Sequence, residues 1–273
     1  MRVKTIVTIL LTAFLAGSCG EYGKLLKSTD YDLKKTKAKE YFEAGKYVKA
    51  TELLEQILPR FRASADAEEL NWINAQSYYG MRDYMMAGSY FSSLVEQYPF
   101  GKYAEEASFM ASKCNYNLAP RAALDQEYSR NAIEGFRLYI TRYPSSPRVE
   151  EAKLYIKELE ERLVEKSYLN ARLYYDMKQY RAAIVALTNS LKEYSDSRYR
   201  EEMMFLKLNS LYLYAVNSLA AKQKERYQDA LDDYYSFIEE YPKSKYSREV
   251  RKIYLDTARF LKIDIKDNLV NLQ

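Results

Sequence analysis

Five stretches of the chain share one arrangement of apolar positions: KYVKATELLEQILPRF, DYMMAGSYFSSLVEQYP, EYSRNAIEGFRLYITRYP, QYRAAIVALTNSLKEYS and RYQDALDDYYSFIEEYP. Each aligns on an alanine, at Ala50, Ala87, Ala132, Ala183 and Ala230. Four residues on stand Leu54, Phe91, Phe136, Leu187 and Tyr234, and eight residues on stand Leu58, Val95, Ile140, Leu191 and Ile238. Eleven residues on, every copy has an aromatic: Phe61, Tyr98, Tyr143, Tyr194 and Tyr241. Apolar residues at this spacing trace one stripe of an α-helix. A methyl at the anchor lets two helices cross closely where a larger side chain would hold them apart. Pro99, Pro144 and Pro242 follow the aromatic in three copies and end the helix, because proline offers no N–H and clashes with the preceding turn. A restart follows: SSPRVEEA predicts Ser146 as N-cap with Pro147 at the first helical position, and KSKYSREV and SDSRYREEM supply Ser or Asp in the same place.

A partner helix precedes each anchor. YFEAGKY (41–47), YYGMRDY (78–84) and YYDMKQY (174–180) align without gaps, with Ala38, Ala75 and Ala171 twelve residues before their anchors. Each copy is therefore helix, tight turn, helix. Successive anchors lie 37, 45, 51 and 47 residues apart. The first spacing is close to the ~34 residues of a tetratricopeptide repeat, which the array resembles in its alanine and aromatic positions while lacking the consensus Trp and Gly. The fold expected is all-α: a right-handed α-solenoid of about five degenerate tetratricopeptide repeats over residues 30–273. Asn115 to Glu127 breaks the rhythm and lengthens the link into the third repeat, as a plain loop or as a docking surface. REVRKIYLDTARFL reads as a final amphipathic helix, and KIDIKDNLVNLQ as a polar tail.

The chain has 29 tyrosines. Those at Tyr98, Tyr143, Tyr194 and Tyr241 fill hairpins, with hydroxyls expected to reach solvent or a carbonyl. Tyr41, Tyr78, Tyr79, Tyr174 and Tyr175 fall on first helices, which line the concave face of such arrays. Adjacent residues on a helix point about 100° apart, so two neighbouring rings cannot both face one core. Packing and groove readings both stay open for them.

The N-terminus follows a different pattern. LTAFLAGSCGEYGK closes an apolar run that opens after Arg2 and Lys4. The uninterrupted part, Thr5 to Ala16, is too short to cross ~30 Å of hydrocarbon, which needs about 20 residues. A basic start, a short apolar stretch and small residues spell a secretory signal. Ala16, Gly17 and Ser18 lead into Cys19, which resembles the bacterial lipobox, except that Ala16 stands where that motif prefers leucine. Residues 1–18 are read as a lipoprotein signal peptide, Cys19 as the lipid-bearing first residue, and 19–29 as a linker. The alternative is an ordinary cleaved signal in which Cys19 is incidental.

Composition mainly excludes. Removing residues 1–18 takes away Arg2 and Lys4 and no acid, so net charge falls from +4 to +2, which gives no electrostatic case for nucleic acid. With Cys19 acylated, Cys114 has no partner for an internal disulfide, and FMASKCNYN reads as its buried helical setting. Histidine is absent, which removes the commonest general base, the commonest zinc ligand and every His-activated nucleophile. Eight glycines form neither GxGxxG nor GxxxxGK[ST], so phosphate-cradling loops are missing as well. No enzyme, no metal site and no cofactor beyond covalent lipid on Cys19 is expected.

Signal, lipobox-like cysteine and repeats come together with YPFGKYAEEA, LDQEYSRNAIEGFRLYITRYPSS and CGEYGKLLKSTDYDLKKTKAKEYFEAGKY. Across essentially the whole chain this resembles the BamD family, tetratricopeptide lipoproteins of the outer-membrane β-barrel assembly machinery, in its Bacteroidetes form. The resemblance implies a non-catalytic scaffold, lipid-anchored at the periplasmic face of the outer membrane. It implies docking to periplasmic domains of the barrel-forming assembly subunit through C-terminal repeats. It also implies reception of unfolded outer-membrane proteins by N-terminal repeats. A preformed tyrosine-rich groove suits an extended apolar and aromatic peptide, and Tyr41, Lys46, Trp72, Tyr79 and Arg82 are its candidate lining by position. Subunit-docking contacts do not carry over, since the fourth repeat has Ala186, Thr188 and Asn189 where a charged partner is wanted. The alternatives are a tetratricopeptide lipoprotein serving another envelope machine, such as division or gliding, and a solute-binding lipoprotein.

Overall fold

The computed structural model describes residues 20–263, so the expected signal peptide, Cys19 and the tail beyond Ile263 lie outside the described residues. Every regular element among them is helical. A first helix, α1, covers 20–27. Five hairpins follow: α2 (Tyr31–Glu43) with α3 (Tyr47–Phe61), α4 (Ala67–Gly80) with α5 (Tyr84–Gln97), α6 (Ala104–Leu118) with α7 (Glu127–Arg142), α8 (Val149–Asp176) with α9 (Tyr180–Glu193), and α10 (Arg200–Val216) with α11 (Ala220–Glu240). Then α12 (Ser247–Leu261) lies against α10 and α11. The chain divides into two compact units, one up to Pro120 together with Glu127–Leu159, the other Arg121–Gln126 together with Glu160 onward. No described helix is long and apolar enough to cross a membrane.

The alanine register fixes the packing in both units. All five anchors are completely buried, as are Ala38 and Ala75, with Ala171 nearly so. The residues four on are buried too: Leu54, Phe91, Phe136, Leu187 and Tyr234. The third buried position is not the expected +8 but +7, occupied by Ile57, Leu94, Tyr139, Ser190 and Phe237. Leu58, Val95, Ile140, Leu191 and Ile238 are half-buried. At about 100° per residue, +4 and +7 lie within roughly 40° of the anchor while +8 is about 80° away, so it sits on the flank. Each large side chain buried here contributes about 1.5–3 kcal/mol relative to exposure.

The tight turns repeat as well. Gly45, Arg82 and Lys178 occupy the same aligned position, and all three have left-handed backbone, at φ 67°, 62° and 59°. In each turn the next residue's N–H reaches back to the first aromatic's carbonyl: Lys46 to Tyr41 at 2.8 Å, Asp83 to Tyr78 at 3.0 Å and Gln179 to Tyr174 at 2.9 Å. This Schellman closure satisfies carbonyls the helix end leaves open. Asp83 then caps α5, its carboxylate accepting the Met86 N–H at 3.1 Å.

Three expectations change. Ser146 stands two residues before the N-cap: its hydroxyl accepts the Arg148 N–H at 3.2 Å, and α8 begins at Val149. Ser197 and Ser244 do the same for Tyr199 and Tyr246, at 3.1 and 3.0 Å, so the serine shapes the turn leading into the helix. The segment expected as a linker is helical over 20–27, because Leu25 enters the first hairpin's core and the buried Lys34 ammonium donates to the Leu26 carbonyl at 3.0 Å. The irregular stretch belongs inside the third repeat, joining its two helices. Its first residues continue α6, leaving 119–126 as the loop, with Gln126 buried and donating to the carbonyls of Arg121 and Leu124.

Candidate functional site

In the first unit the candidate groove residues occupy two successive turns. Tyr41, half-buried at the end of α2, takes the edge of Tyr22 at 5.6 Å, with Lys46 and Lys49 ammonium groups 5.9 and 5.6 Å from its ring. Tyr79 lies at the end of α4, where Phe42 stands in the aligned first hairpin, and Arg82 in the turn after it, where Gly45 stands. The Tyr79 ring meets Tyr84 edge-on at 5.3 Å and its hydroxyl accepts from the Asn117 amide at 3.3 Å. Arg82 is exposed. No hydrogen bond, ion pair or ring contact among the described residues joins the two pairs. Trp72 is placed differently. Its indole stacks on Tyr103 at 5.1 Å and meets Phe91 at 5.4 Å, so its ring serves packing between elements.

That stack exposes a device the sequence reading passed over. The restart loops GKY, SRY and SKY each put a tyrosine at the N-cap, and each ring is covered by an aromatic from the preceding first helix. Trp72 covers Tyr103, Tyr168 covers Tyr199 at 4.3 Å, and Phe205 covers Tyr246 at 4.1 Å. The cation just before the tyrosine lies over the same ring: Lys102 at 5.0 Å, Arg198 at 4.8 Å and Lys245 at 4.9 Å. Ring stacking ties each restart loop to the preceding first helix, and the neighbouring cation covers the same ring from within the loop. Four tyrosines take part: Tyr103, Tyr168, Tyr199 and Tyr246. Tyr143 departs from expectation, since its hydroxyl is buried and reaches no partner among the described residues.

The second unit holds a cavity of about 1130 Å³ where α8 ends, α9 begins and α10 ends. Tyr174, Tyr180 and Tyr214 supply rings, Ala182, Val185 and Ala186 an apolar wall, and Lys178 and Arg181 the charge. No acid lines it. The Tyr175 hydroxyl, just behind, accepts from the Asn209 amide at 2.7 Å, and burial raises its pKa. Arg226 lies over Tyr214 at 3.9 Å and steadies that wall. Of these residues, Tyr174 and Tyr175 stood among the groove tyrosines. The sequence did carry a signal: between Asp176 and Glu193 there are three cations and no acid.

No group of His, Cys, Asp or Glu among the described residues is arranged to hold a metal. Cys114 is fully buried, and desolvation pushes its thiol up to about 12, the opposite of what a nucleophile needs.

The family model YfiO, described as outer membrane lipoprotein, matches residues 32–226. No curated protein matches the chain. Among solved structures, the TPR2AB domain–pHSP90 complex of yeast Sti1 is similar at 16% identity and a TM-score of 0.37, covering 84% of this chain and 98% of that one. The P58(IPK) TPR domain is similar at 15% identity and a TM-score of 0.41, covering 88% of this chain and 68% of that one.

Proposed function

We propose that this chain, which belongs to the YfiO family of outer membrane lipoproteins, is a non-catalytic scaffold of the β-barrel assembly machinery. Lipid on Cys19 anchors it to the periplasmic face of the outer membrane. There it binds periplasmic domains of the barrel-forming subunit and receives unfolded outer-membrane proteins. One acyl chain binds a membrane only marginally, whereas the several chains of a mature lipoprotein hold stably.

One observation carries the polypeptide-binding part: successive turns present an aromatic ring and a cation at the same end of successive hairpins, Tyr41 with Lys46 and Tyr79 with Arg82. Rings held by Asn117 and Tyr84 are preformed, so an extended peptide meets little ordering cost on the protein side.

Photocrosslinking of a nascent barrel polypeptide to the membrane-bound protein tests this reading. Alanine at Tyr41, Lys46, Tyr79 and Arg82 together should abolish the crosslink while the helical circular dichroism persists. An undiminished crosslink removes the groove assignment. Separately, Cys19→Ala should move the protein to the soluble periplasm, and continued membrane fractionation would show that lipid is not its tether.

A further inference from the structure

The terminal helix α12 buries one face, and the face it leaves to solvent is of a single sign. Val250, Ile253, Tyr254, Thr257 and Ala258 are buried where the helix lies against α10 and α11. At about 100° per residue, Arg248, Arg251, Lys252 and Arg259 fall within one arc of about 100° on the remaining side. All four are exposed, and so is Lys262, which follows at the helix end. The acids of this helix, Glu249 and Asp256, stand together on one flank of the arc. Asp256 is already engaged, accepting from the Tyr212 hydroxyl at 3.1 Å and pairing with Arg259 at 3.1 Å. Arg248, Arg251, Lys252 and Lys262 have no ion-pair partner among the described residues. Over residues 243–262, seven cations stand against two acids, in a chain whose whole net charge is +4. From Arg248 to Arg259 the cationic face runs about 17 Å along the helix.

Such a face calls for a negatively charged partner, and its composition narrows the kind. The core of a protein–protein interface is poor in charge and is built on aromatic or apolar anchors. This face offers none. Its one apolar residue, Leu255, is half-buried and packs into the core beneath the helix. Long cations spread along a convex helix suit instead an array of headgroup phosphates that can move to meet them. We infer that the outward face of α12 lies on the anionic headgroups of a phospholipid bilayer, as an electrostatic attachment beside the lipid on Cys19. Arg248, Arg251 and Arg259 each bring a planar fork that pairs a phosphate through two hydrogen bonds. Each cation held close to an anionic bilayer strengthens attachment roughly fivefold. The inference rests on the proposed function only in placing the protein at a membrane, and it uses no residue of the first-unit groove.

The test is vesicle co-sedimentation of the mature chain carrying Cys19→Ala, so that no acyl chain contributes. One set of vesicles mixes phosphatidylethanolamine with phosphatidylglycerol, and the other is phosphatidylcholine alone. The anionic vesicles should bind at least about tenfold more tightly than the neutral ones. Raising salt from about 0.1 M to about 1 M, which shortens the screening length from about 10 Å to about 3 Å, should abolish the difference. Arg248→Glu, Lys252→Glu and Arg259→Glu together should weaken binding to anionic vesicles by about a hundredfold. Lys157, Lys192 and Lys224 are exposed on other helices. Changing those three to Glu alters net charge by the same amount and should leave most of the binding in place, and thermal melting by circular dichroism checks that both triple variants are folded. Equal loss in the two triple variants, or equal binding to the two kinds of vesicle, would overturn the inference. Binding to neither would overturn it too and leave the face to an acidic protein. With the acyl chain removed, each of these outcomes is independent of whether Cys19 carries lipid in the cell.

Discussion

The Glu68 carboxylate accepts the backbone N–H of Tyr103 at 2.8 Å, 35 residues along the chain. In later loops a serine hydroxyl does this for Tyr199 and Tyr246. The second hairpin's exit loop has Gly101 in the serine's place, and a Cβ there would stand 2.2 Å from the Glu68 carboxylate. Glycine thus makes room for a cap supplied by the preceding repeat. Glu68→Ala should destabilise the protein by about 1 kcal/mol, the usual worth of such a cap. Adding Gly101→Ser should recover most of it, because serine brings the missing oxygen. Chemical denaturation of the two single variants and the double variant checks this. Strictly additive effects would show that the two positions do not share the role.

The left-handed turns give an opposed pair. Arg82→Gly should stabilise the protein by about 0.5–1 kcal/mol, since glycine adopts φ 62° without a Cβ clash. Gly45→Ala, at φ 67° with open space around its Cβ, should cost about 1 kcal/mol through backbone strain alone. Melting temperatures of both variants decide it.

Tyr234 links pH to stability. Its ring is 1% exposed and stacks on Tyr254 at 4.5 Å, its hydroxyl meets no partner among the described residues, and desolvation pushes its pKa up to about 12. The unfolded chain loses this proton near 10, so between about 10 and 12 the folded state holds more protons and stability falls as pH rises, by about 1.4 kcal/mol per pH unit for one such group. Below 10 the effect is absent. Tyr234→Phe should flatten the alkaline decline and should be neutral or stabilising near pH 7. Denaturation at pH 8 and pH 11 checks both parts.

Cys114 should be inert while the protein is folded. A thiol that is fully buried and protonated up to about 12 offers no thiolate at pH 8. Thiol-reactive dye should label it only after denaturant is added, and rapid native labelling would contradict its placement.

The anchors were legible because an alanine repeated at helical spacing admits only close helix crossing, and Ala50 through Ala230 all prove buried. The +8 position misled because Leu, Val and Ile tolerate a flank as well as a core, so residue type alone did not separate it from +7. Trp72 looked like a groove residue from its helix, yet its partner Tyr103 arrives from a loop that periodicity does not track. Helix 20–27 was invisible for a similar reason: one buried leucine and a lysine reaching a carbonyl leave no repeat to read. The acid-free lining of the cavity includes Gln179, which stands where Asp83 stands in the aligned copy. Such a signal shows only once the copies are set against each other.

The scaffold role proposed for this chain in barrel assembly requires the barrel-forming subunit as a partner. Affinity purification of the full-length protein from detergent-solubilised outer membranes, read by mass spectrometry, tests it most directly. A large barrel protein with periplasmic domains should co-purify in stoichiometric amount. Recovery of division or gliding components in its place, with the barrel subunit absent, would contradict it.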